Sequence, residues 1–165
     1  MKDEGVEIVP MSLADIDGVM VVERLSFPTT WSRQAFVHEV TANTHARYFV
    51  ARAGRQVVGY GGMWLILDEA HVTNIAVHPD WRGRGIGEAL MRRLMDCARS
   101  YGITRMTLEV RVSNHAAQNL YVKLGFRPAG IRKGYYTDTH EDALIMWLDP
   151  IPGGPADAGG EDPCP

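Results

Sequence analysis

The sequence predicts a single α/β domain with a central mixed sheet, mostly antiparallel, of about seven strands and four helices on both faces. Three observations predict it. The 165 residues suffice for one domain with a sizeable core. Segments with strand and helix periodicity follow in the order β-α-α-β-β-β-α-β-α-β-β. The central β-α-β-α part is typical of α/β proteins, whereas the flanking strands are typical of antiparallel sheets.

The first half of the chain is predicted to hold three strands and two helices before a fourth strand. Their spans are 6–10 (strand), 13–26 (helix), 33–43 (helix), 46–53, 56–67 and 70–78 (strands). Ser12 and Ser32 are suitable N-caps for the two helices, and Gly54-Arg55 makes a tight hairpin turn. Gly59, Gly61 and Gly62 indicate a bulge or a close backbone approach.

The second half begins with the clearest helix, from Ile86 to about Tyr101, with Gly102 as its left-handed cap. Its apolar side chains fall on one face: Ile86, Leu90, Met91, Leu94, Met95 and Ala98. A strand at 104–111, a helix to about 124, and strands at 126–131 and 142–148 follow. Ser113 or Asn114 is the N-cap of that last helix, and Tyr135-Tyr136 is predicted to lie in the final loop.

We expect residues 1–149 to form the domain and 150–165 to be a disordered acidic tail. The tail holds five Pro and four Gly among sixteen residues and has no apolar periodicity. Its three acidic residues account for the net charge of −3, since the remainder has 17 acidic and 17 basic residues. A balanced domain argues against a nucleic-acid binder, which would carry a basic excess.

The composition also indicates the cellular compartment and argues against a disulfide framework and a metal site. No apolar run has the length of a membrane span and the N-terminus has no signal-peptide core, so we expect a cytoplasmic protein without a membrane partner. Cys97 and Cys164 do not make a disulfide framework, and Cys97 is interpreted as a packing residue. The six histidines form no metal-ligand motif, and we expect no metal. Oligomeric state is not predicted.

The segment from Asn74 to Met95 predicts an anion site. An apolar strand ends at His78, a turn with two glycines and two arginines follows, and a helix begins at Ile86. Helix N-termini present unpaired N–H groups and partial positive charge, and glycines let a phosphate approach them. Arg82 and Arg84 can add charge-assisted bonds. An ordinary strand-to-helix turn with solvated arginines is the alternative at this point.

The pattern of the turn excludes two phosphate-binding motifs. A dinucleotide fingerprint would require Gly where Glu88 stands, and a Walker A triplet is absent from the sequence. What remains is Arg82-x-x-Gly85-x-Gly87 directly after a strand. This resembles the R/Q-x-x-G-x-G/A pyrophosphate loop of the GNAT family of N-acetyltransferases, which use acetyl-coenzyme A.

Further motifs strengthen that resemblance. Leu108-Glu-Val-Arg-Val-Ser-Asn114 and Ala117-Gln-Asn-Leu-Tyr-Val-Lys-Leu-Gly-Phe126 are similar to the family's L-E-V-R-x-S-N and A-x-x-L-Y-x-x-L-G-F segments. Together with Phe27-Pro-Thr-Thr-Trp-Ser32 and a closing Tyr-Tyr…Glu-Asp-Ala-Leu-Ile-Met, they resemble the bacterial ribosomal-protein-alanine N-acetyltransferases of the RimI type. The resemblance covers about residues 6–149 and implies a GNAT fold.

The resemblance implies a cofactor site along the strand, turn and helix. Backbone groups of the strand would pair with the pantetheine arm, and the turn would hold the pyrophosphate. The residues implied are Ile75, Ala76, Val77, Arg82, Gly83, Arg84, Gly85, Ile86, Gly87, Glu88 and, on the next helix, Asn114.

For catalysis, the resemblance implies Glu109 as general base and Tyr121 as general acid. A carboxylate whose pKa is raised modestly by burial could deprotonate a peptide α-amine, whose pKa is about 8. A phenol holds its proton at neutral pH and can donate it to the leaving thiolate. The alternatives are a strand carboxylate paired with Arg105 or Arg111, and a core aromatic.

The acceptor is implied less directly. The segments that contain Trp31 and Tyr135-Tyr136 resemble those that flank the acceptor groove in the family. Trp31, Tyr135 and Tyr136 could therefore line a groove for a peptide N-terminus, although Trp31 could equally cover the core. The resemblance implies transfer to the N-terminal alanine of a small-subunit ribosomal protein, by direct attack in a ternary complex, directly or through water. A lysine side chain or small-molecule amine as acceptor, or an acyl-coenzyme A-binding module without catalysis, remain alternatives.

Overall fold

The computed structural model describes residues 5–153 and residue 164. In these residues the chain forms seven strands and four α-helices, in the order that the sequence predicts. They are β1 (Val6–Pro10), α1 (Ile16–Ser26), α2 (Arg33–Thr41), β2 (Ala46–Ala53), β3 (Gln56–Ile66), β4 (Glu69–Val77), α3 (Ile86–Ser100), β5 (Arg105–Arg111), α4 (His115–Leu124), β6 (Arg127–Tyr136) and β7 (Glu141–Leu148). The predicted fold class is confirmed.

All seven strands belong to one sheet, in the spatial order β1-β2-β3-β4-β5-β7-β6. Neighbouring strands are antiparallel except β4 and β5, which are parallel and are joined through α3. The parallel pair lies in the middle of the sheet, between an antiparallel N-terminal half and an antiparallel C-terminal half. This is the mixed arrangement expected from a central β-α-β unit with flanking hairpins.

Helices cover both faces of the sheet. Alternate residues of β2 show this directly, because Phe49 packs in one core cluster and its neighbour Val50 in the other. The first cluster takes the apolar face of α3 and the inner residues of α4, and the second takes α1 and α2. The apolar stripe predicted for α3 is buried as a whole: Ile86, Leu90, Met91, Leu94, Met95 and Ala98.

A β-bulge in β4 shapes the centre of the sheet. Gly62 of β3 pairs with Asn74, but the next residue of β3 pairs with Val72, so Thr73 is the extra residue. The ring of Tyr48 lies against Gly62, where a Cβ atom would fall only 2.1–2.3 Å from ring carbons. The Tyr48 hydroxyl then donates to Asn74 Oδ1 at 2.6 Å. The bulge that the β3 glycines predict lies in the facing strand β4, and at Gly62 it is the Tyr48 ring, not another backbone, that comes close and supports the bulge.

Helix termini follow the predicted chemistry. Ser32 Oγ accepts the N–H of Ala35, and Asn114 Oδ1 accepts the N–H of Ala117, each at 3.1 Å. Gly125 ends α4 with φ of 108°. The predicted first helix differs at its start, because Leu13–Asp15 form a 3-10 turn before α1.

Two expectations for the C-terminal region are wrong in part. Tyr135 and Tyr136 do not lie in a loop, because β6 continues to Tyr136. Two residues of the predicted tail are buried in the core: the Ile151 N–H donates to Thr104 O at 2.8 Å, and Cys164 is disulfide-bonded to Cys97. The remaining predicted tail, 154–163 and 165, lies outside the described residues.

Candidate active site

The turn between β4 and α3 presents backbone N–H groups at the helix N-terminus. Gly83 and Gly85 both have φ of 80°, a left-handed conformation that favours glycine. The first bond of the α3 ladder joins the Ala89 N–H to Gly85 O at 3.0 Å. The N–H groups that precede it, from Gly85 to Glu88, have no place in the helix ladder and are oriented as an anion site requires.

The space beside these N–H groups is open on the protein side. A Cβ atom on Gly83 would meet nothing within 4 Å, and one on Gly87 would be 3.5 Å from Leu120 and 3.7 Å from Val77. These are ordinary contact distances, so packing within the chain does not demand glycine at 87. The absence of a side chain at this position leaves room for a ligand at the helix N-terminus.

The charged side chains of the turn are already engaged. Arg82 Nε donates to Val77 O at 3.0 Å, which ties the turn to the end of β4, and the Arg84 guanidinium lies 4.5 Å from the centre of the Trp81 ring. The Glu88 carboxylate pairs with Arg92 at 3.0 Å and Lys123 at 2.7 Å. Glu88 could therefore serve a phosphate through its backbone N–H, not through its side chain.

The strands β4 and β5 diverge next to this turn. In the described structure their pairing covers three positions, from Glu69–Arg105 to His71–Thr107. Past His71, the edge of β4 that would face β5 separates from it, while its other edge stays paired with β3 through Ile75, Ala76 and Val77. Free backbone groups on a strand edge can pair with an extended ligand. The gap thus provides such an edge directly in front of the anion site.

A cavity of about 620 Å³ opens where the strands separate. It brings together the predicted base and acid and the predicted acceptor residues, which come from four different parts of the chain. Of the predicted site residues, its lining includes Trp31, Ile75, Glu109, Asn114, Tyr121, Tyr135 and Tyr136. The glycine turn and its arginines do not line it, so anion site and cavity are adjacent regions.

Glu109 contacts two basic side chains that no sequence motif marks. Its carboxylate accepts a hydrogen bond from His71 Nε2 at 2.8 Å, and Arg132 Nε lies 3.7 Å away. The predicted alternatives, Arg105 and Arg111, pair with other acids. His71 comes from β4 and Arg132 from β6, so the contacts depend on strand pairing. A histidine three residues before Asn74 is the only hint in the sequence.

The pKa of Glu109 differs from the expectation. Burial alone would raise this pKa, but the hydrogen bond from His71 and the charges of His71 and Arg132 outweigh it, and the pKa lies below its ordinary value. The expected modest rise is therefore wrong. Glu109 is ionised at neutral pH and can accept a proton from a nearby group.

Tyr121 lies on the inner face of α4 and is 5% exposed. It packs against Phe126 with ring centres 5.8 Å apart, so the core-aromatic alternative is correct as a description of its packing. It also lines the cavity that contains Glu109. Burial raises the pKa of its phenol, with a further contribution from Tyr136, so the hydroxyl keeps its proton at neutral pH.

The predicted acceptor residues line the cavity from two sides, the loop before α2 and the end of β6. Trp31 donates its backbone N–H to Glu23 at 2.7 Å, and Glu23 also bonds the Tyr60 hydroxyl. The Trp31 ring packs 5.4 Å from Phe36, so it covers the second core cluster as well as lining the cavity. On the opposite side, Tyr135 and Tyr136 meet edge to face at 5.0 Å.

Other kinds of site find little support in residues 5–153 and 164. Among these residues, no group of three His, Cys, Asp or Glu side chains is placed to hold a metal ion. No helix in the same part of the chain combines the length and the apolar character that crossing a membrane requires.

Comparison with known proteins agrees with this geometry. Residues 16–126 match the model of the acetyltransferase (GNAT) family. The chain is 37% identical over 145 residues to the [ribosomal protein bS18]-alanine N-acetyltransferase of Escherichia coli (strain K12), covering 86% of this chain and 95% of that protein. It is 38% identical over 152 residues to the N-alpha-acetyltransferase RimI of Mycobacterium tuberculosis, covering 88% and 94%.

The structural comparison gives the same relatives. The fold is similar to the crystal structure of the Escherichia coli bS18-alanine N-acetyltransferase, with a TM-score of 0.80 and 34% identity over 92% of this chain and 97% of that one. A Bacillus subtilis (strain 168) protein, provisionally named as a bS18-alanine N-acetyltransferase, is 47% identical over 138 residues, 84% of this chain and 91% of that protein.

Proposed function

The chain belongs to the acetyltransferase (GNAT) family, and from that membership we propose that it acetylates the N-terminal alanine of ribosomal protein bS18. It is an acetyl-coenzyme A-dependent N-acetyltransferase. The acceptor is the one that its relatives' names state, at 37% identity in the Escherichia coli enzyme and 47% in the Bacillus subtilis protein. The cellular compartment proposed is the cytoplasm, where ribosomal proteins are made.

One observation carries the proposal. An ionised carboxylate, Glu109, and a protonated phenol, Tyr121, line the same cavity at the point where β4 and β5 separate. General acid–base catalysis of acyl transfer needs this combination, a group that takes a proton from the nucleophile and one that gives a proton to the leaving group. At neutral pH the Glu109 carboxylate is ionised and the Tyr121 phenol is protonated, which supports Glu109 as the base and Tyr121 as the acid.

We assign cofactor binding to the turn and the strand edge. The N–H groups from Gly85 to Glu88 would hold the pyrophosphate. The edge of β4 at Ile75, Ala76 and Val77 that does not face β3 would hold the pantetheine arm, except at Val77 O, which accepts from Arg82 Nε. Asn114, which caps α4 and lines the cavity, lies within the same region. Bound acetyl-coenzyme A supplies the acetyl group as a thioester. Arg82 and Gly83 act through the shape of the turn, since the Arg82 side chain is bonded to Val77 O.

The residues divide the proton transfers between them. Glu109 takes a proton from the attacking amine as the new N–C bond forms, and it returns that proton to solvent afterwards. Tyr121 gives its proton to the sulfur as the C–S bond breaks, and solvent restores it. His71 donates to Glu109 and keeps it ionised, so Glu109 is ready to accept at neutral pH.

An α-amine suits this base better than a lysine side chain does. A peptide α-amine has a pKa of about 8, whereas that of lysine is about 10.4. A carboxylate with a lowered pKa is a weaker base, so an appreciable fraction of the acceptor amine must already be neutral at the working pH. Trp31 in the loop before α2 on one side, and Tyr135 and Tyr136 at the end of β6 on the other, would enclose the first residues of the peptide.

The test is a panel of peptides beginning with Ala, Ser or Met, each with and without an internal lysine and each with a free or blocked α-amine. We expect acetyl-coenzyme A to be consumed with free α-amines, fastest with alanine, and not with blocked ones. Acetylation of lysine in blocked peptides would instead support the lysine acceptor. Cofactor binding without turnover of any peptide or small amine would support a non-catalytic module.

A further inference from the structure

The structure contains an ionic cluster at the end of β5 that the proposed reaction does not use. Its centre is Arg111, two residues after Glu109 on the same side of the strand. The guanidinium bonds Asp138 through two nitrogens, at 2.8 Å and 3.2 Å, and the Thr139 hydroxyl at 3.1 Å. Glu141 adds a contact at 3.6 Å.

Asp138 and Thr139 belong to the connection between β6 and β7, which closes one side of the cavity, and Glu141 is the first residue of β7. Thr137 and Asp138 line the cavity together with Tyr135 and Tyr136. The Arg111 guanidinium also lies 4.1 Å from the centre of the Tyr136 ring, and Tyr136 supports Tyr135 edge to face. A single side chain of β5 therefore contacts both the loop and the aromatic wall beside it.

The connection needs such support. His140 has φ of 60°, a left-handed conformation that is unfavourable for a residue with a Cβ atom. The pairing of β6 with β7 is also interrupted between Arg132 and Tyr136. A strained connection with interrupted pairing keeps one position only when other contacts determine it. The bidentate bond from Arg111 to Asp138 supplies those contacts, with both side chains largely shielded from solvent, 21% and 14% exposed.

We propose that Arg111 is a positioning residue for the acceptor peptide, which holds the β6–β7 connection and the Tyr135–Tyr136 wall in their peptide-binding position. This extends the proposed function, on which it rests. Arg111 would not contact the reacting atoms. Its loss would weaken peptide binding and leave the cofactor site, on α3 and β4, unchanged.

The chain contains a matched control on the same strand. Arg105 begins β5 and, like Arg111, pairs with two acids, Glu69 and Asp149, each at 3.4 Å, and lies over an aromatic ring. It does not line the cavity. Arg105→Gln removes the same kinds of contact at the other end of β5, so it separates positioning of the cavity from general stabilisation of the strand.

The kinetic test compares Arg111→Gln, Arg111→Lys and Asp138→Asn with Arg105→Gln. We expect Arg111→Gln and Asp138→Asn to raise the KM for an alanine-starting peptide about tenfold, with kcat and the KM for acetyl-coenzyme A nearly unchanged. The peptide KM of Arg111→Lys should lie between those of the wild type and Arg111→Gln, because an ammonium keeps the charge but cannot form the bidentate bond to Asp138. Arg105→Gln should leave all three constants unchanged. The same rise in peptide KM for Arg105→Gln, or a normal KM in Asp138→Asn, would overturn the proposal.

Hydrogen exchange separates failure of this inference from failure of the proposed function. Without any substrate, amides of residues 134–140 should exchange at least about threefold faster in Arg111→Gln and Asp138→Asn than in the wild type or Arg105→Gln. Unchanged exchange would refute the positioning role whatever the acceptor is. Suppose that exchange is faster in Arg111→Gln and Asp138→Asn but the wild type does not acetylate N-terminal peptides. That result would refute the proposed acceptor and leave the role of Arg111 in holding the β6–β7 connection intact.

Discussion

Replacing Glu109 with glutamine removes the proposed base with little other change. Glutamine has the same shape, and its amide oxygen can accept the hydrogen bond that His71 donates to Glu109 at 2.8 Å. The folded structure and the cofactor site should therefore persist. Because the pKa of Glu109 is below its ordinary value, wild-type Glu109 is fully ionised at neutral pH, and the substitution removes all of its contribution to the rate.

We expect kcat/KM for the peptide to fall about 100-fold, the lower end of what general-base catalysis contributes, or about 2.7 kcal/mol of activation free energy. The pH dependence should identify the group that limits the wild-type rate. At pH 7 about one-tenth of a peptide α-amine with pKa near 8 is neutral, so the wild-type rate should rise to a plateau above about pH 8. Ionisation of Glu109 lies below this range and contributes no inflection there.

The assay follows release of the coenzyme A thiol at several pH values, and acetyl-coenzyme A affinity is measured separately by calorimetry. A loss of less than about fivefold in Glu109→Gln, with a wild-type pH profile and unchanged affinity, would refute Glu109 as the base. A large loss of cofactor affinity would instead show that the carboxylate supports binding.

Three further substitutions test other parts of the site. Tyr121→Phe should keep the packing against Phe126 and the cofactor affinity but lower kcat about 100-fold in the same thiol assay. A kcat equal to that of the wild type would refute Tyr121 as the acid. Gly87→Ala should melt like the wild type, because its Cβ meets only ordinary contacts within the protein. The same Cβ should raise the KM for acetyl-coenzyme A about tenfold, because it stands at the helix N-terminus that would hold the pyrophosphate. Gly62→Ala should lose about 1–3 kcal/mol in urea unfolding, because its Cβ would clash with the Tyr48 ring; full stability would contradict this account of the β4 bulge.

Acid stability offers a check on the environment of Glu109. A carboxyl whose pKa is lowered in the folded state stabilises the fold above its unfolded pKa, about 4.3, and loses that contribution as pH falls through the folded value. In Glu109→Gln the dependence of unfolding free energy on pH should therefore be weaker below about pH 4.5 than in the wild type.

The sequence predicts the site well where the chemistry is local. The glycine turn, the Asn114 cap and the spacing between Glu109 and Tyr121 each belong to one continuous segment. Hydrophobic periodicity then places those segments on adjacent strands and helices. The family resemblance implies Glu109 and Tyr121 as base and acid, periodicity places their segments on a strand and a helix, and the two side chains do line one cavity.

Contacts that depend on strand pairing could not be predicted in the same way. His71 reaches Glu109 because three parallel pairs join β4 to β5, and nothing in the sequence fixes that register. This contact, together with the charge of Arg132 from β6, lowers the pKa of Glu109 against the effect of burial. The sequence likewise predicts a strand that ends at Ile131, but the Gly134 N–H donates to Asp142 Oδ1 at 2.9 Å and β6 continues to Tyr136.

The C-terminal residues show a third limit of sequence patterns. The stretch after Asp149 is rich in Pro and Gly, which is typical of a disordered tail. Burial of Ile151 and pairing of Cys164 with Cys97 are contacts between single residues, and a composition average over sixteen residues does not detect them.

The central claim is that this cavity delivers an acetyl group to the α-amine of a ribosomal protein. The most direct measurement incubates purified bS18 with the enzyme and acetyl-coenzyme A and maps the acetyl group by fragmentation mass spectrometry. The account predicts one acetyl group, on the N-terminal alanine, and its near absence with Glu109→Gln. Acetylation confined to lysine side chains, or an N-terminus that stays free while the wild-type enzyme acetylates other amines, would contradict it.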